Sequence, residues 1–347
     1  MPYRLTAALL LFTLCIGAVQ VTAQGSRPIF NPNRSTLYTQ QELWRGFDLS
    51  TGKGGWDAAV YRQYIREGKF NPPRNVARAR SLHDDAITSA LEDYVLSRQR
   101  RGQLVVSVTG NALEDLRCSA TYRKTALLGY ELARNGYLVS TGGGPGEMEA
   151  ANMGAYLSNQ DVSAIDEAIH MMRLRAEKNA DQTVCRYATH EAYTLAAFDV
   201  KKRFPHGVEN LGVPTWFFGA EPPNVFATSV AKYFSNALRE DILLSTANGA
   251  VVFTEGRAGL RQEIFQKAAQ DDFASFCYVV PFVFLGTKDF ADTGLYKLID
   301  NFAQVAPVGN YRSKLTLTDS VEQAVAFLKA TPPQRVDDTE GACKNLP

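Results

Sequence analysis

Gly142-Gly143-Gly144-Pro145-Gly146 follows the apolar run Tyr137-Leu138-Val139-Ser140 and precedes a run of small residues, 148–157. Glycines at a strand-to-helix junction let the backbone approach a ligand closely. The N–H groups that open the next helix favour an anion, most often a phosphate. Two further loops also follow apolar runs and are rich in small or polar residues: Gly110-Asn111 and the segment 254–259. The implied chemistry is recognition of a nucleotide or sugar phosphate. No Gly-Lys-Ser/Thr follows the glycines, so this is not a P-loop. The spacing does not fit GxGxxG, and no acidic residue ends a strand at the expected distance, which disfavours a plain dinucleotide dehydrogenase.

The elements that must hold these loops alternate. Residues 104–108 read as a buried strand, 116–135 as a helix stopped by Gly136, 137–140 as a second strand, and 148–157 as a helix that Pro145 can open. Further strands are expected at 212–219, 249–253, 278–285 and 315–318, with helices at 227–244, 260–269, 294–302 and 321–330. This order predicts an α/β, Rossmann-like doubly wound parallel sheet with helices on both faces, over residues 103–330. Residues 161–206 form a helical insert, with helices at 164–177 and 190–202, which reads equally as a lid or as padding. Residues 24–102 read as an N-terminal arm, extended or loosely helical to about Pro73, then a helix at 77–101. Residues 331–347 read as a loose tail unless Cys343 ties it down.

The chain of 347 residues can bury one substantial core plus an appendage. With 37 Lys and Arg against 36 Asp and Glu, the net charge of +1 creates no global field for nucleic acid or anionic membrane. The basic runs at 98–101 and 201–203 read as solvated helix ends, so nucleic acid is not an expected partner. Arg4, an uncharged stretch at 7–19, and Val21-Thr22-Ala23 make the three parts of a secretory signal peptide, residues 1–23. Cleavage after Ala23 places the mature chain in the periplasm or outside the cell, with no membrane segment left. An uncleaved anchor is the alternative, although the run is short for a bilayer. Cys118, Cys185, Cys277 and Cys343 then permit two disulfides in three connectivities, or buried thiols. His83, His170, His190 and His206 are scattered and no Cys/His spacing suits zinc, so neither a metal site nor a cofactor is expected.

The run from Ser140 to Ala155, Ser-Thr-Gly-Gly-Gly-Pro-Gly-Glu-Met-Glu-Ala-Ala-Asn-Met-Gly-Ala, resembles the first signature of the Lonely Guy (LOG) proteins, also called lysine decarboxylase-like. The resemblance covers roughly residues 104–302 without the insert. The family includes phosphoribohydrolases that cleave the N-glycosidic bond of nucleoside 5′-monophosphates. Its second signature, Pro-Gly-Gly-x-Gly-Thr-x-x-Glu, is matched in degraded form by the segment from Thr254 to Glu263, with one extra residue. Glu255 and Leu260 depart from it: a carboxylate repels phosphate, and Leu260 removes a hydroxyl. The resemblance assigns catalysis to Glu263, as the carboxylate near C1′, and to Arg239, as the fork that holds phosphate or a ribose hydroxyl. It gives phosphate or nucleotide binding to Gly110, Asn111, Gly142, Gly143, Gly144, Gly146, Gly256, Arg257 and Gly259. It also implies a homodimer.

Read without the family, Glu263 is better taken as a first-turn carboxylate that complements a helix dipole. Arg239 reads equally as a surface partner of Glu240 or Asp241 and as a site residue. Glu147 and Glu149 are dipole-complementing acids, one of which can face the ligand. The leading expectation is hydrolysis of a nucleoside 5′-monophosphate. The alternative is a non-catalytic protein that binds or senses a nucleotide or sugar phosphate on the same fold.

Overall fold

Valine-rich runs with no polar alternation suit strands covered on both faces, and the central sheet is built from them. The computed structural model describes residues 27–113, 117–177, 185–219, 224–336 and Cys343. The expected signal peptide lies outside the described residues. Among the described residues the main sheet has eight strands: β1 (Tyr38–Thr39), β2 (Val105–Thr109), β3 (Leu138–Thr141), β4 (Leu211–Gly212), β5 (Ser229–Val230), β6 (Ala250–Phe253), β7 (Phe282–Leu285) and β8 (Leu315–Thr318). Their order is β1-β5-β4-β3-β2-β6-β7-β8. All neighbours run parallel except β1, which is antiparallel to β5.

From β2 the chain winds outward through β3, β4 and β5, then returns to β6 and winds the other way. The fold is therefore α/β and Rossmann-like, with its topological switch point between β2 and β6. Register sets the loops side by side: Val108 pairs with Thr141 on one flank and Val252 on the other. Gly110, Gly142 and Thr254 consequently emerge together at the carboxyl edge.

The helices are α1 (Gln40–Leu43), α2 (Trp56–Arg66), α3 (Arg74–Gln99), α4 (Ala120–Arg134), α5 (Glu147–Tyr156), α6 (Ser163–Arg173), α7 (His190–Arg203), α8 (Asn236–Ser245), α9 (Ala258–Asp272), α10 (Thr287–Asp292), α11 (Leu295–Val305) and α12 (Val321–Ala330). Ser119, Ser235 and Ser320 cap α4, α8 and α12 by accepting N–H groups of the first turn. Helices α4 and α5 pack backbone to backbone. A Cβ on Gly154 would stand 1.8 Å from the Ala126 carbonyl, so only glycine fits there.

Three expectations are corrected. The strand expected at 212–219 is only Leu211–Gly212, because Pro214 cannot donate to a ladder; Thr215 adds one isolated bridge to Tyr233. The helix expected at 227–244 starts at Asn236, and its first part is strand β5. The strand expected at 278–285 breaks at Pro281, and Tyr278–Val279 pairs instead with Gln334–Arg335. The tail is tied down as well, through a Cys277–Cys343 disulfide. Cys118 pairs with Cys185. Each bridge closes a loop of more than 60 residues (separations 67 and 66), which loop-closure arithmetic values at about 4 kcal/mol.

The arm is more ordered than expected. It supplies β1, a short hairpin (Phe47–Asp48 with Lys53–Gly54), α1 and α2. Phe30, Tyr38, Leu43 and Tyr64 sink into one core with Trp216, Tyr233 and Phe234. Two buried polar knots fasten it. The Tyr38 hydroxyl lies 2.7 Å from His83 Nε2, and Asp57 accepts from Trp216 Nε1 and Lys232 Nζ, both at 2.9 Å.

Candidate active site

The glycine loop is shaped from behind by a buried amide network. Thr141 Oγ1 accepts the Gly143 N–H at 2.9 Å and donates to Asn152 Oδ1 at 2.6 Å. Asn152 Nδ2 donates to Asn210 Oδ1 and the Leu211 carbonyl. Asn224 donates its N–H to the Gly143 carbonyl and its Nδ2 to Asn152 Oδ1. The loop is thus preorganised, and this corrects the expected cradle. The Gly143 N–H is consumed inside the loop and Pro145 has none. The N–H groups of Gly142, Gly144 and Gly146 have no protein partner among the described residues. Gly146, at φ +70°, packs its Cα side against the Asn111 carbonyl rather than into open space.

In front of the loop lies an open cleft of about 390 Å³. Of the candidate residues, Gly110, Gly142, Gly143, Gly144, Gly259, Arg239 and Glu263 line it. Asn111, Gly146, Gly256 and Arg257 do not. Asn111 gives its N–H to Glu147 Oε2 at 2.8 Å. Gly256 is covered by Leu260, and Arg257, at the N-cap of α9, is exposed. Ala112, Met148, Pro214, Thr215, Phe218 and Glu240 line the cleft without having been expected there, and Leu260 of the second signature lines it too. Pro214, Thr215 and Phe218 were hidden by the misplaced third strand. The Met148 side chain lies directly above two glycines: a Cβ on Gly142 or Gly144 would stand 2.8 or 2.9 Å from it.

Helices α8 and α9 bring in the charges. Arg239 Nη1 lies 3.4 Å from Glu263 Oε1, and Arg239 Nη2 donates to Asn236 Oδ1 at 2.8 Å. Arg239 is therefore no surface partner of Glu240 or Asp241, which instead accept from Gln262 and from Gln266 and Gln270. Glu263 is 9 % exposed, and burial pushes its carboxyl up to about 7, opposed by Arg239 and reinforced by the nearby Glu240. The lining residues thus carry one cation and two carboxylates, one of which takes up its proton near neutrality. Such a carboxylate can stabilise a developing positive charge or orient water.

A second buried carboxyl ties the loops together. Glu147 Oε2 accepts from the Asn111 N–H at 2.8 Å and from Thr254 Oγ1 at 2.6 Å, while the Glu147 N–H returns to the Asn111 carbonyl. Its Oε1 is buried without a partner among the described residues. Gly110 must be glycine because a Cβ there would meet Thr254 Oγ1 at 1.8 Å and Glu147 Oε2 at 2.5 Å. Burial raises the Glu147 carboxyl from 4.5 to about 7. In that interval the folded chain binds more protons than the unfolded one, so stability is lost as pH rises from about 4.5 to about 7. Glu147→Gln is expected to stabilise the protein at pH 8 by about 2 kcal/mol relative to its effect at pH 5. Denaturant midpoints at both pH values check this; equal shifts at the two would refute it.

Glu149, two residues along α5 from Glu147 and so on the opposite side of the helix, faces away from the cleft. Arg117 grips it at both oxygens (Nη2 to Oε1 2.5 Å, Nε to Oε2 2.8 Å), and the Tyr122 and Tyr193 hydroxyls donate to Oε2. Tyr193 belongs to α7, and the Arg117 guanidinium also lies 3.3 Å from its ring centroid. This fully buried knot and the adjacent Cys118–Cys185 bridge fasten the insert to the sheet's helical layer.

Comparison with known proteins adds fold-level likeness only. No protein-family model matches the chain. No curated protein matches it significantly. Among solved structures, a molybdenum cofactor binding protein from the phototrophic bacterium Rippkaea orientalis is similar over 66 % of this chain and 96 % of its own, at 12 % identity and a TM-score of 0.40. The molybdenum cofactor carrier protein of Chlamydomonas reinhardtii is similar over 66 % and 97 %, at 16 % identity and a TM-score of 0.38. Among the described residues no helix is long and apolar enough to cross a membrane.

Proposed function

We propose that this protein hydrolyses the N-glycosidic bond of a nucleoside 5′-monophosphate, in the manner of the LOG proteins its glycine loop resembles. The observation that carries the reading is the Arg239–Glu263 pair in one cleft with Gly142–Gly144 at the switch point. As the C1′–N bond breaks, its electron pair leaves with the base and positive charge develops on the ribose. The Glu263 carboxylate stabilises that charge and directs a water to C1′. Arg239, whose Nη1 would stand 3.4 Å from a Cβ on Gly142, holds the phosphate or a ribose hydroxyl beside the free glycine amides. The reaction needs no cofactor. We further propose that the chain is exported, which two disulfides fit, and that it works as a homodimer.

Incubation of the mature protein with a panel of nucleoside monophosphates is expected to release free base, followed by chromatography. Absence of release across the panel defeats the enzymatic reading. A second reading, binding without turnover, draws on buried Leu260 and outward-facing Arg257 in the second loop. Thermal stabilisation by a nucleotide that is returned intact supports that reading.

A further inference from the structure

The cleft is chemically lopsided. Arg239, Glu240 and Glu263 come from α8 and α9, whereas Pro214, Thr215 and Phe218 come from the segment after β4. The glycine loop lies between them: a Cβ on Gly142 would stand 3.4 Å from the guanidinium, and one on Gly143 would stand 2.8 Å from Pro214 Cδ. A ligand seated on the loop therefore reaches ionic groups on one side and a hydrocarbon wall on the other.

Phe218 is 56 % exposed although it lines this cleft. Among the described residues its ring has one aromatic neighbour, which is itself flanked by a second ring and a cation. Phe217 meets it edge to face (centroids 5.2 Å, 90°), Phe70 meets Phe217 in the same manner (5.8 Å, 72°), and the Lys69 ammonium lies 4.9 Å from the Phe217 centroid. Among the described residues, the polar lining groups beside the apolar wall are already engaged. Thr215 Oγ1 donates to the Tyr233 carbonyl and accepts the Phe217 N–H, and both Glu240 oxygens accept from Asn236 and Gln262.

Building on the nucleotide reading above, we propose that Phe218 is the base-stacking platform of the cleft, and that the site selects a ligand by the size of its flat ring system, two-ring bases above one-ring bases, without reading exocyclic groups. Stacking strength follows overlapping ring area, and an aromatic contact is tolerant of base identity.

The test is calorimetric binding of AMP, UMP and ribose 5-phosphate to the wild-type protein, to Phe218→Ala and to Phe218→Trp. AMP is expected to bind wild type more tightly than UMP, and ribose 5-phosphate more weakly than either. Phe218→Ala is expected to weaken AMP about tenfold or more, leave ribose 5-phosphate within twofold, and erase the AMP–UMP difference, while Phe218→Trp keeps it. An unchanged melting temperature checks the fold, as expected for so exposed a ring. If ribose 5-phosphate binds but AMP gains nothing over it, or if Phe218→Ala weakens both ligands equally, the stacking proposal fails and the phosphate site stands. If none of the three binds wild type, the nucleotide reading fails and takes this proposal with it.

Discussion

Glu263→Gln is expected to lower base release from a nucleoside monophosphate by on the order of 100- to 1,000-fold, with ligand affinity little changed. The amide keeps the shape and still accepts the Arg239 contact now made at 3.4 Å by Oε1. What it loses is the negative charge that the ribose needs as the glycosidic bond breaks. The pH dependence follows with a definite sign. The Glu263 carboxyl is held up to about 7, so the active carboxylate is the minority form in acid and the majority form above neutrality. Wild-type turnover is expected to rise through about pH 7 and level off, and the residual activity of Glu263→Gln to be flat there. Turnover that falls with rising pH, or a variant that keeps the wild-type slope, would show that another group carries the reaction.

Arg117→Met is expected to destabilise the protein by about 3–5 kcal/mol, the usual cost of leaving one member of a buried pair uncompensated. Arg117 and Glu149 have essentially no solvent exposure, and the carboxylate collects four donors, two from Arg117 and one each from Tyr122 and Tyr193. Removing the guanidinium leaves a charge that the tyrosines alone cannot satisfy. The double variant Arg117→Met with Glu149→Leu is expected to recover most of the loss, because the charge goes with its partner. Denaturant midpoints with the disulfides intact measure both. A single variant as stable as wild type would mean that the knot contributes no net stability.

The sheet was legible where local chemistry is strong. Residues 315–318 and 321–330 were assigned with their observed bounds, and in the structure Ser320 separates the two and caps the helix by accepting the Gln323 N–H. β4 and β5 were not legible, since two residues carry no period and what aligns them is pairing with distant strands. β1 was hidden for the same reason: Tyr38 pairs with Val230, far along the chain. The disulfide partners are likewise fixed by tertiary proximity. Of the residues named from the motif, Gly142, Gly143, Gly144, Arg239 and Glu263 line one cleft. Asn111, Gly146, Gly256 and Arg257 were misplaced because a motif records residue types and not the direction in which an amide or side chain points. Glu147 was read as a dipole-complementing acid, whereas its helix position buries it as the peg on which three loops hang.

A parallel sheet grown outward from its middle ends in a bare ladder of N–H and C=O groups, an invitation to any other extended chain. Here the chain closes that side with its own beginning. Two residues of β1, running against β5, occupy the ladder, and Tyr38 and Trp56 seal its flank against Trp216. So short a terminal strand offers almost nothing for a foreign strand to copy. The leading segment is in this sense a stopper as well as a part of the core.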